Sequence, residues 1–314
     1  MAFLNRKNIM AMAMLVGLAF AAHAQEKTDL STADDLTVKQ VVDDAAQLPP
    51  VTQPAVASQK PAKPKLPLWE AGVLGMGISH PAYPGADEHT NLLLPLPFMI
   101  YRGEFLRVDR GNVGVRAIKT PRTELDIGFA AAPGSRASDV EARRGMDDLG
   151  ILVEFGPRLK INLGEEGAGR RGSRIQLAAR GVFDATDYFK YHGIAFEPQW
   201  VKDMLLPGQW FTSFSLGAVY GEQKLADTFY RVTPAEATSS RPAYDAKIGL
   251  ISLRAGGFAS RLLNSDVRFF SYVVLDSVQG AANHDSPLVK RDYGWAAGIG
   301  LAWTLARSEG VAND

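Results

Sequence analysis

The sequence predicts an all-β fold, a closed antiparallel transmembrane β-barrel of about twelve strands. Three observations predict it. The chain begins with an export signal, and from Leu68 onward apolar residues alternate with small or charged ones. Alternation with a period of two is typical of strands that have one apolar and one polar face. The alternating segments run for 11 to 16 residues, longer than the five or six usual in soluble sheets, which favours strands that cross a bilayer.

The export signal occupies residues 1–24. Arg6 and Lys7 precede an apolar stretch, residues 9–22, which ends in a small-x-small cleavage site at Ala24. The apolar stretch is too short for an anchor helix, which needs about 20 residues. Cleavage after Ala24 would leave 32 basic and 34 acidic residues, and this near balance argues against a nucleic-acid partner. Export and a barrel fold together predict location in the bacterial outer membrane, with its lipid as a partner.

The rest of the chain divides into three parts. Residues 25–66 are rich in proline and lysine and cannot bury a core, so they predict a disordered periplasmic leader. Residues 67–305 form the predicted barrel, and residues 306–314 form a polar C-terminal tail. The chain has no cysteine, so its stability must come from packing or lipid rather than from disulfides.

The last predicted strand shows the alternation most clearly. One face carries Tyr293, Trp295, Ala297, Ile299, Leu301, Trp303 and Leu305, and small residues such as Gly300 lie between them. Residues 210–220 repeat the pattern with Trp210, Phe214 and Leu216. Aromatic residues at both ends of an apolar face are typical of a lipid-facing strand.

Charged residues alternate with apolar ones in other segments. If the apolar residues face lipid, the charges face the lumen. The predicted lumen charges are Arg116, Glu124, Glu154, Arg158, Arg174 and Arg180, with Asp126, Lys160, Lys247 and Arg254 as further inward positions. Mixed signs favour a salt-bridged plug over an open pore, although twelve strands can leave a narrow channel.

The strand count depends on residues 104–119. Both chain ends of such barrels lie in the periplasm, where the turns are short, whereas the external loops are long. The predicted short turns are 120–122, 164–171, 204–207 and 259–263. Their alternation with long loops holds for twelve strands if 104–119 is two short strands that break near Gly111. If 104–119 is a single strand, ten strands result.

Several motifs resemble the MipA/OmpV family of outer-membrane proteins, over residues 68–305. The motifs are Tyr83-Pro-Gly-Ala-Asp-Glu88, Leu94-Pro-Leu-Pro97, Arg144-Gly-Met-Asp-Asp-Leu149, Glu154-Phe-Gly-Pro157, Tyr230-Arg-Val-Thr233, Arg241-Pro-Ala-Tyr244 and Asp285-Ser-Pro-Leu-Val289. The positions that carry the resemblance best are Tyr83, Gly85, Gly145, Met146, Asp147, Asp148, Asp285, Ser286 and Pro287. One departure is the C-terminus, because outer-membrane barrels commonly end on an aromatic residue, whereas the last predicted strand here ends Trp303-Thr304-Leu305 and continues into the polar tail.

The resemblance implies a non-enzymatic scaffold that links a murein hydrolase to a murein synthase in cell-wall assembly. Other members of the family are described as porin-like or as adhesive surface proteins, so a channel or a surface receptor is the alternative function. The family has no assigned catalytic residues to carry over.

No catalytic, cofactor or metal site is predicted from the residues themselves. His80, Asp87, Glu88 and His89 share one loop without a distinctive ligand spacing. The acidic residues of 139–148 lack the alternation of a calcium loop, which favours a solvated loop or lumen salt bridges with Arg143 and Arg144. His284, Asp285 and Ser286 are consecutive and cannot converge as a triad; a Ser286 nucleophile would need a distant base such as His192.

Overall fold

The computed structural model describes residues 67–102, 106–109, 112–115, 118–120, 122–164 and 172–310. The predicted signal, leader and Arg116 lie outside these ranges, as do residues 311–314. The strands are β1 (Trp69–Pro81), β2 (His89–Arg102), β3 (Leu106–Asp109), β4 (Asn112–Val115), β5 (Ile118–Lys119), β6 (Thr123–Ala132), β7 (Leu152–Asn162), β8 (Ser173–Asp184), β9 (Lys190–Leu206), β10 (Trp210–Gly221), β11 (Gly249–Leu262), β12 (Val267–Ser277) and β13 (Tyr293–Arg307). One helix, α1 (Gln223–Tyr230), and two 3-10 turns, Ala137–Asp139 and Glu141–Arg143, lie between strands.

All described strands belong to one antiparallel sheet. Their order is β4-β3-β2-β1-β13-β12-β11-β10-β9-β8-β7-β6-β5. The predicted all-β antiparallel class is therefore confirmed. The described residues contain ten strands of ten or more residues and three shorter ones, all three within 104–119, and the count of twelve for the whole sheet stays a prediction. The predicted break at Gly111 lies between β3 and β4, which pair with each other.

The two ends of the sheet differ in their connections. One end carries the short turns 120–122, 207–209 and 263–266, the 163–172 connection, and both ends of the described chain, where the Leu68 N–H donates to the Gly310 carbonyl at 2.7 Å. The opposite end carries the loops between β1 and β2, β6 and β7, β10 and β11, and β12 and β13. We call these the short-turn end and the long-loop end.

The outward face of the long strands is apolar. In β13, Ile299 is 58% exposed and Leu301 is 48% exposed, whereas Gly300 between them is buried. The alternation predicted for this strand is thus confirmed. Phe214 and Leu216 of β10 are exposed in the same way.

Aromatic residues concentrate at both ends of the outward face. Towards the long-loop end, Phe155 lies 4.9 Å from Phe183, and Phe183 lies 5.5 Å from Tyr191, measured between ring centroids. Towards the short-turn end, Trp210 and Phe269 meet edge to face at 5.9 Å. In β13 the two girdle residues, Trp295 and Trp303, are eight positions apart, which corresponds to roughly 27 Å along the strand.

The inward face has an apolar half and a charged half. The apolar half is a cluster on β1, β2, β12 and β13, completed by Ile151; its strand members are Leu74, Met76, Ile78, Leu94, Leu96, Phe98, Ile100, Phe270 and Ala302. The small inward residues of β13 make room for the rings of β12. A Cβ on Gly300 would lie 2.5 Å from the Phe270 ring and 2.6 Å from the Gly75 carbonyl oxygen.

Gly300→Ala is therefore expected to destabilise the fold by about 1–3 kcal/mol, the usual cost of overpacking a filled core. Gly77→Ala is the matched control on β1, because a Cβ there would meet nothing within 4 Å. The free energy of unfolding, measured by urea titration of the refolded protein, compares the two variants. Equal losses would show that the rings do not pack against β13.

Candidate functional site

Ion pairs cover the charged half of the inward face, beginning between β6 and β7. Arg158 donates two hydrogen bonds to Asp126, from Nε and from Nη2, both at 3.0 Å. Lys160 donates to Asp126 at 2.6 Å and to Glu124 at 3.2 Å. The register sets these contacts, because Asp126 lies opposite Arg158 and Glu124 opposite Lys160 in the antiparallel pair.

The ion pairs continue across β8, β9, β11 and β12. Arg180 donates to Glu154 at 2.9 Å and also to Glu197. Glu197 in turn accepts from Arg254 at 3.4 Å, and Arg254 donates to Asp276 at 2.9 Å. The Arg180 side chain is only 9% exposed, so its charge depends on these two carboxylates rather than on water.

Most of the predicted lumen charges meet in this network. Glu124, Glu154, Arg158 and Arg180 are in the pairs above, and Arg174 pairs with Asp203. Arg116 is outside the described residues, and Lys247 lies in the loop before β11 rather than on the inward face. Three acids of these ion pairs, Glu197, Asp203 and Asp276, were not among the predicted lumen charges. Alternation over residues 197–203 was the available signal for the first two.

A small polar cavity of about 150 Å³ lies beside the network. Its walls include Arg158, Gln176, Arg180, Glu197 and Gln199. The volume is sufficient for a few water molecules at about 30 Å³ each. The cavity can therefore hydrate the ion pairs.

The loops of the long-loop end pack together into a folded cap with a hydrophobic core of its own. The core residues are Ala82, Tyr83, Ala86, Val140, Ala142, Leu149, Val232 and Leu288, which come from all four long loops. The buried Tyr83 hydroxyl donates to the Leu288 carbonyl at 2.7 Å, and burial raises the pKa of Tyr83 well above its ordinary value. Tyr83 thus joins the first long loop to the last.

Two buried arginines hold the cap together through backbone carbonyls. Arg143 donates to the carbonyls of Phe229 and Asp147, and its guanidinium lies 5.7 Å from the centroid of the Tyr83 ring. Arg241 donates to the Ala142 carbonyl at 3.0 Å and to the Glu236 carbonyl at 2.6 Å. Each arginine therefore links the β6–β7 loop to the β10–β11 loop.

Ser286, one of the motif positions, is also a structural residue of the cap. Its hydroxyl is buried, donates to the Tyr230 carbonyl at 2.8 Å and accepts from the Leu288 N–H at 3.3 Å. The Tyr230 hydroxyl donates to the Pro84 carbonyl at 3.2 Å. These bonds tie the helix α1 to the first and last long loops.

The other motif positions lie in the same cap. Gly85 and Gly145 have φ values of 90° and 82°, a region that favours glycine. The Asp148 carboxylate accepts from the Ala137 N–H at 2.7 Å. Met146 packs against the cap core, the Asp147 carbonyl holds Arg143, Asp285 is exposed and Pro287 is half-buried.

His284 pairs with Asp292 at 2.9 Å rather than with Ser286. The hydrogen bond that the His284 ring donates to the Asp292 carboxylate raises the pKa of His284 above its ordinary value. His192 has Thr228 as its Nδ1 partner at 2.8 Å. The Ser286 hydroxyl thus bonds to backbone groups rather than to either histidine.

Within the described ranges, no three His, Cys, Asp or Glu side chains are grouped as metal ligands would be. His80 and His89 have other partners, since the His80 ring bonds the Pro81 carbonyl and the His89 ring bonds the Ser79 hydroxyl. No described helix is long and apolar enough to cross a membrane.

Comparison with known proteins identifies the family. The model of a family described as MipA, MltA-interacting protein MipA, matches residues 74–305. The chain belongs to the MipA family. The match runs from β1 to β13, so it includes both the inward ion pairs and the cap. A search of curated proteins finds no match to the chain.

Proposed function

We propose that this MipA-family chain is a closed barrel of the bacterial outer membrane that serves as a non-conducting, non-enzymatic scaffold. Closure is supported by β4 and β5, which are separated by only two residues. β4 pairs with β3 at one edge of the sheet, and β5 pairs with β6 at the other. Cα atoms of β4 and β6 also lie within 8 Å of each other. If 112–119 is one interrupted strand, the sheet closes with twelve strands.

The outward face supports insertion in a membrane. Exposed Phe, Leu, Ile and Trp side chains cover it, an arrangement that is costly in water and typical of a lipid-facing surface. The separation of Trp295 and Trp303 fits an apolar band of about 25 Å between aromatic girdles, once strand tilt is included. Short turns belong on the periplasmic side of such barrels, so the leader at 25–66 would extend into the periplasm from the short-turn end.

The filled interior is the observation that favours a scaffold over a channel. Ion pairs occupy one half of the inward face, an apolar cluster occupies the other half, and the cap covers the long-loop end. A solute would have to displace buried, mutually neutralising charges to pass. The family description names an MltA-interacting protein, and we propose a murein hydrolase and a murein synthase as the partners.

The test combines two measurements on the full-length protein purified from outer membranes. Capture of murein hydrolase and synthase from periplasmic extract is expected, together with no conductance above background in planar bilayers. An unrelated plugged barrel, carried through the same purification, is the control for capture. Stable single-channel steps without capture would instead support the porin-like alternative.

Deletion of residues 25–66 is expected to leave the barrel intact but to reduce partner capture. The leader is too rich in proline to join the sheet, and Lys60, Lys63 and Lys65 would bring positive charge close to acidic partners. Heat-modifiable migration measures folding and quantitative pull-down measures capture. If capture is unchanged, the binding surface belongs on the periplasmic turns, with 164–171 as the first candidate.

A further inference from the structure

A groove opens on the outward face of the sheet in its short-turn half. It has a volume of about 350 Å³, and its lining includes Met204, Thr212, Phe214, Gly257, Ala259 and Val273. The exposed area of this lining is mostly apolar. The groove therefore lies on the surface that we propose to face lipid.

The groove arises from small residues on β11 between larger ones on its neighbours. Gly257 is opposite Phe214 on β10 and Val273 on β12. Ala259, the next outward position, is opposite Thr212 and Ser271. Because the middle strand lacks long side chains at two successive outward positions, a trough follows the direction of β11.

Arg261 occupies the next outward position, at the end of the trough nearest the short turns. Its guanidinium lies 5.9 Å from the centroid of the Trp210 ring, and it is opposite Phe269. The side chain is exposed. Asp266, the acid of the turn that follows β11, pairs with Arg307, and no ion pair joins Arg261 to a described carboxylate.

An apolar trough that ends at an uncompensated arginine matches one kind of molecule in a membrane. We propose that the groove binds an acyl chain of an anionic phospholipid and that Arg261 binds its phosphate. Guanidinium forms paired, charge-assisted hydrogen bonds with phosphate oxygens. Ala259 and Arg261 are about 7 Å apart along the strand, so one lipid can occupy both. The proposal rests on the proposed membrane location, and the site belongs to the periplasmic leaflet.

The test is native mass spectrometry of the full-length protein extracted from vesicles of phosphatidylglycerol and phosphatidylcholine in equal amounts. The wild type is expected to retain one phosphatidylglycerol in preference to phosphatidylcholine. Arg261→Gln should reduce retention of phosphatidylglycerol roughly tenfold, as expected for the loss of a charge-assisted contact. Gly257→Leu should reduce retention of both lipids by filling the trough.

Matched variants separate this site from general effects. Arg122→Gln removes an exposed cation at another short turn, and Gly77→Leu adds a side chain to an open outward position on β1. Both should retain phosphatidylglycerol as the wild type does. If Arg122→Gln and Arg261→Gln lose equal amounts of phosphatidylglycerol, the proposal is overturned. It is also overturned if the wild type is a lipid-free dimer that Gly257→Leu converts to monomers.

Measurements in the same vesicles distinguish failure of the lipid site from failure of the proposed membrane location. Heat-modifiable migration and protection from added protease report whether each variant has inserted. Insertion of all variants without selective lipid retention would refute the lipid site alone. Failure of the wild type to insert in any vesicle would instead refute the membrane barrel on which the site depends.

Discussion

Arg180→Met is expected to lower the free energy of unfolding by about 3–5 kcal/mol, the largest effect of any substitution considered. The reason is the negative charge that remains on Glu154 and Glu197 when the guanidinium is removed. Glu154 loses the arginine that neutralises it, and Glu197 keeps Arg254 and a hydrogen bond from the Gln199 amide. Methionine fills much of the same volume, so the loss would reflect the unpaired carboxylates rather than a cavity. The free energy of unfolding is measured by urea titration, with heat-modifiable migration as the measure of the folded fraction.

Two further variants test this explanation. Arg144→Ala removes an exposed pair with Glu141, whose side chains are 66% and 72% exposed, and should cost no more than about 0.5 kcal/mol. Adding Glu154→Gln to Arg180→Met should recover part of the loss, because one unpaired charge is then neutral. If the double variant is as unstable as Arg180→Met, the loss of stability comes from packing rather than from the unpaired charge.

Leu301→Arg is expected to cost about 2–4 kcal/mol of folding stability in vesicles. Leu301 is 48% exposed on the outward face, about 7 Å along the strand from Trp303 on the side towards Trp295, so the new charge would lie inside the apolar band. Leu305→Arg is the depth control. It lies beyond Trp303 at the short-turn end, where the cost should be about 0–1 kcal/mol.

Chemical labelling provides a second measurement of the same face. Single cysteines at 299 and 300 can be introduced because the chain has none of its own. A probe confined to lipid should label position 299 and leave position 300 unlabelled. Equal labelling at both positions would contradict the assigned outward face.

The faces of the strands could be predicted from the sequence because alternation is a local property. Ile299, Gly300 and Leu301 are on the predicted sides, and so are Glu154 and Arg158. The ends of strands were less predictable. The turn expected at 259–263 is at 263–266. Ser260 and Arg261 still pair with β12 and so belong to β11.

The cap could not be predicted because its contacts are far apart in the chain. Tyr83 and Leu288 are separated by 205 positions, and no local pattern relates them. Arg143 was expected in a solvated loop or in lumen salt bridges, but it is buried among backbone carbonyls. The family motifs nevertheless identified the right segments, because Tyr83, Gly145 and Ser286 all lie in the cap.

The pairing of β1 with β13 determines when the protein can fold. Glu70 has Arg307 as its partner, so the first long strand lacks a neighbour on one side until nearly the whole chain has been synthesised. An unpaired strand edge recruits other strands, including those of other molecules. Deletion of the last fifteen residues, which removes the second half of β13, should therefore produce aggregates rather than a smaller folded sheet.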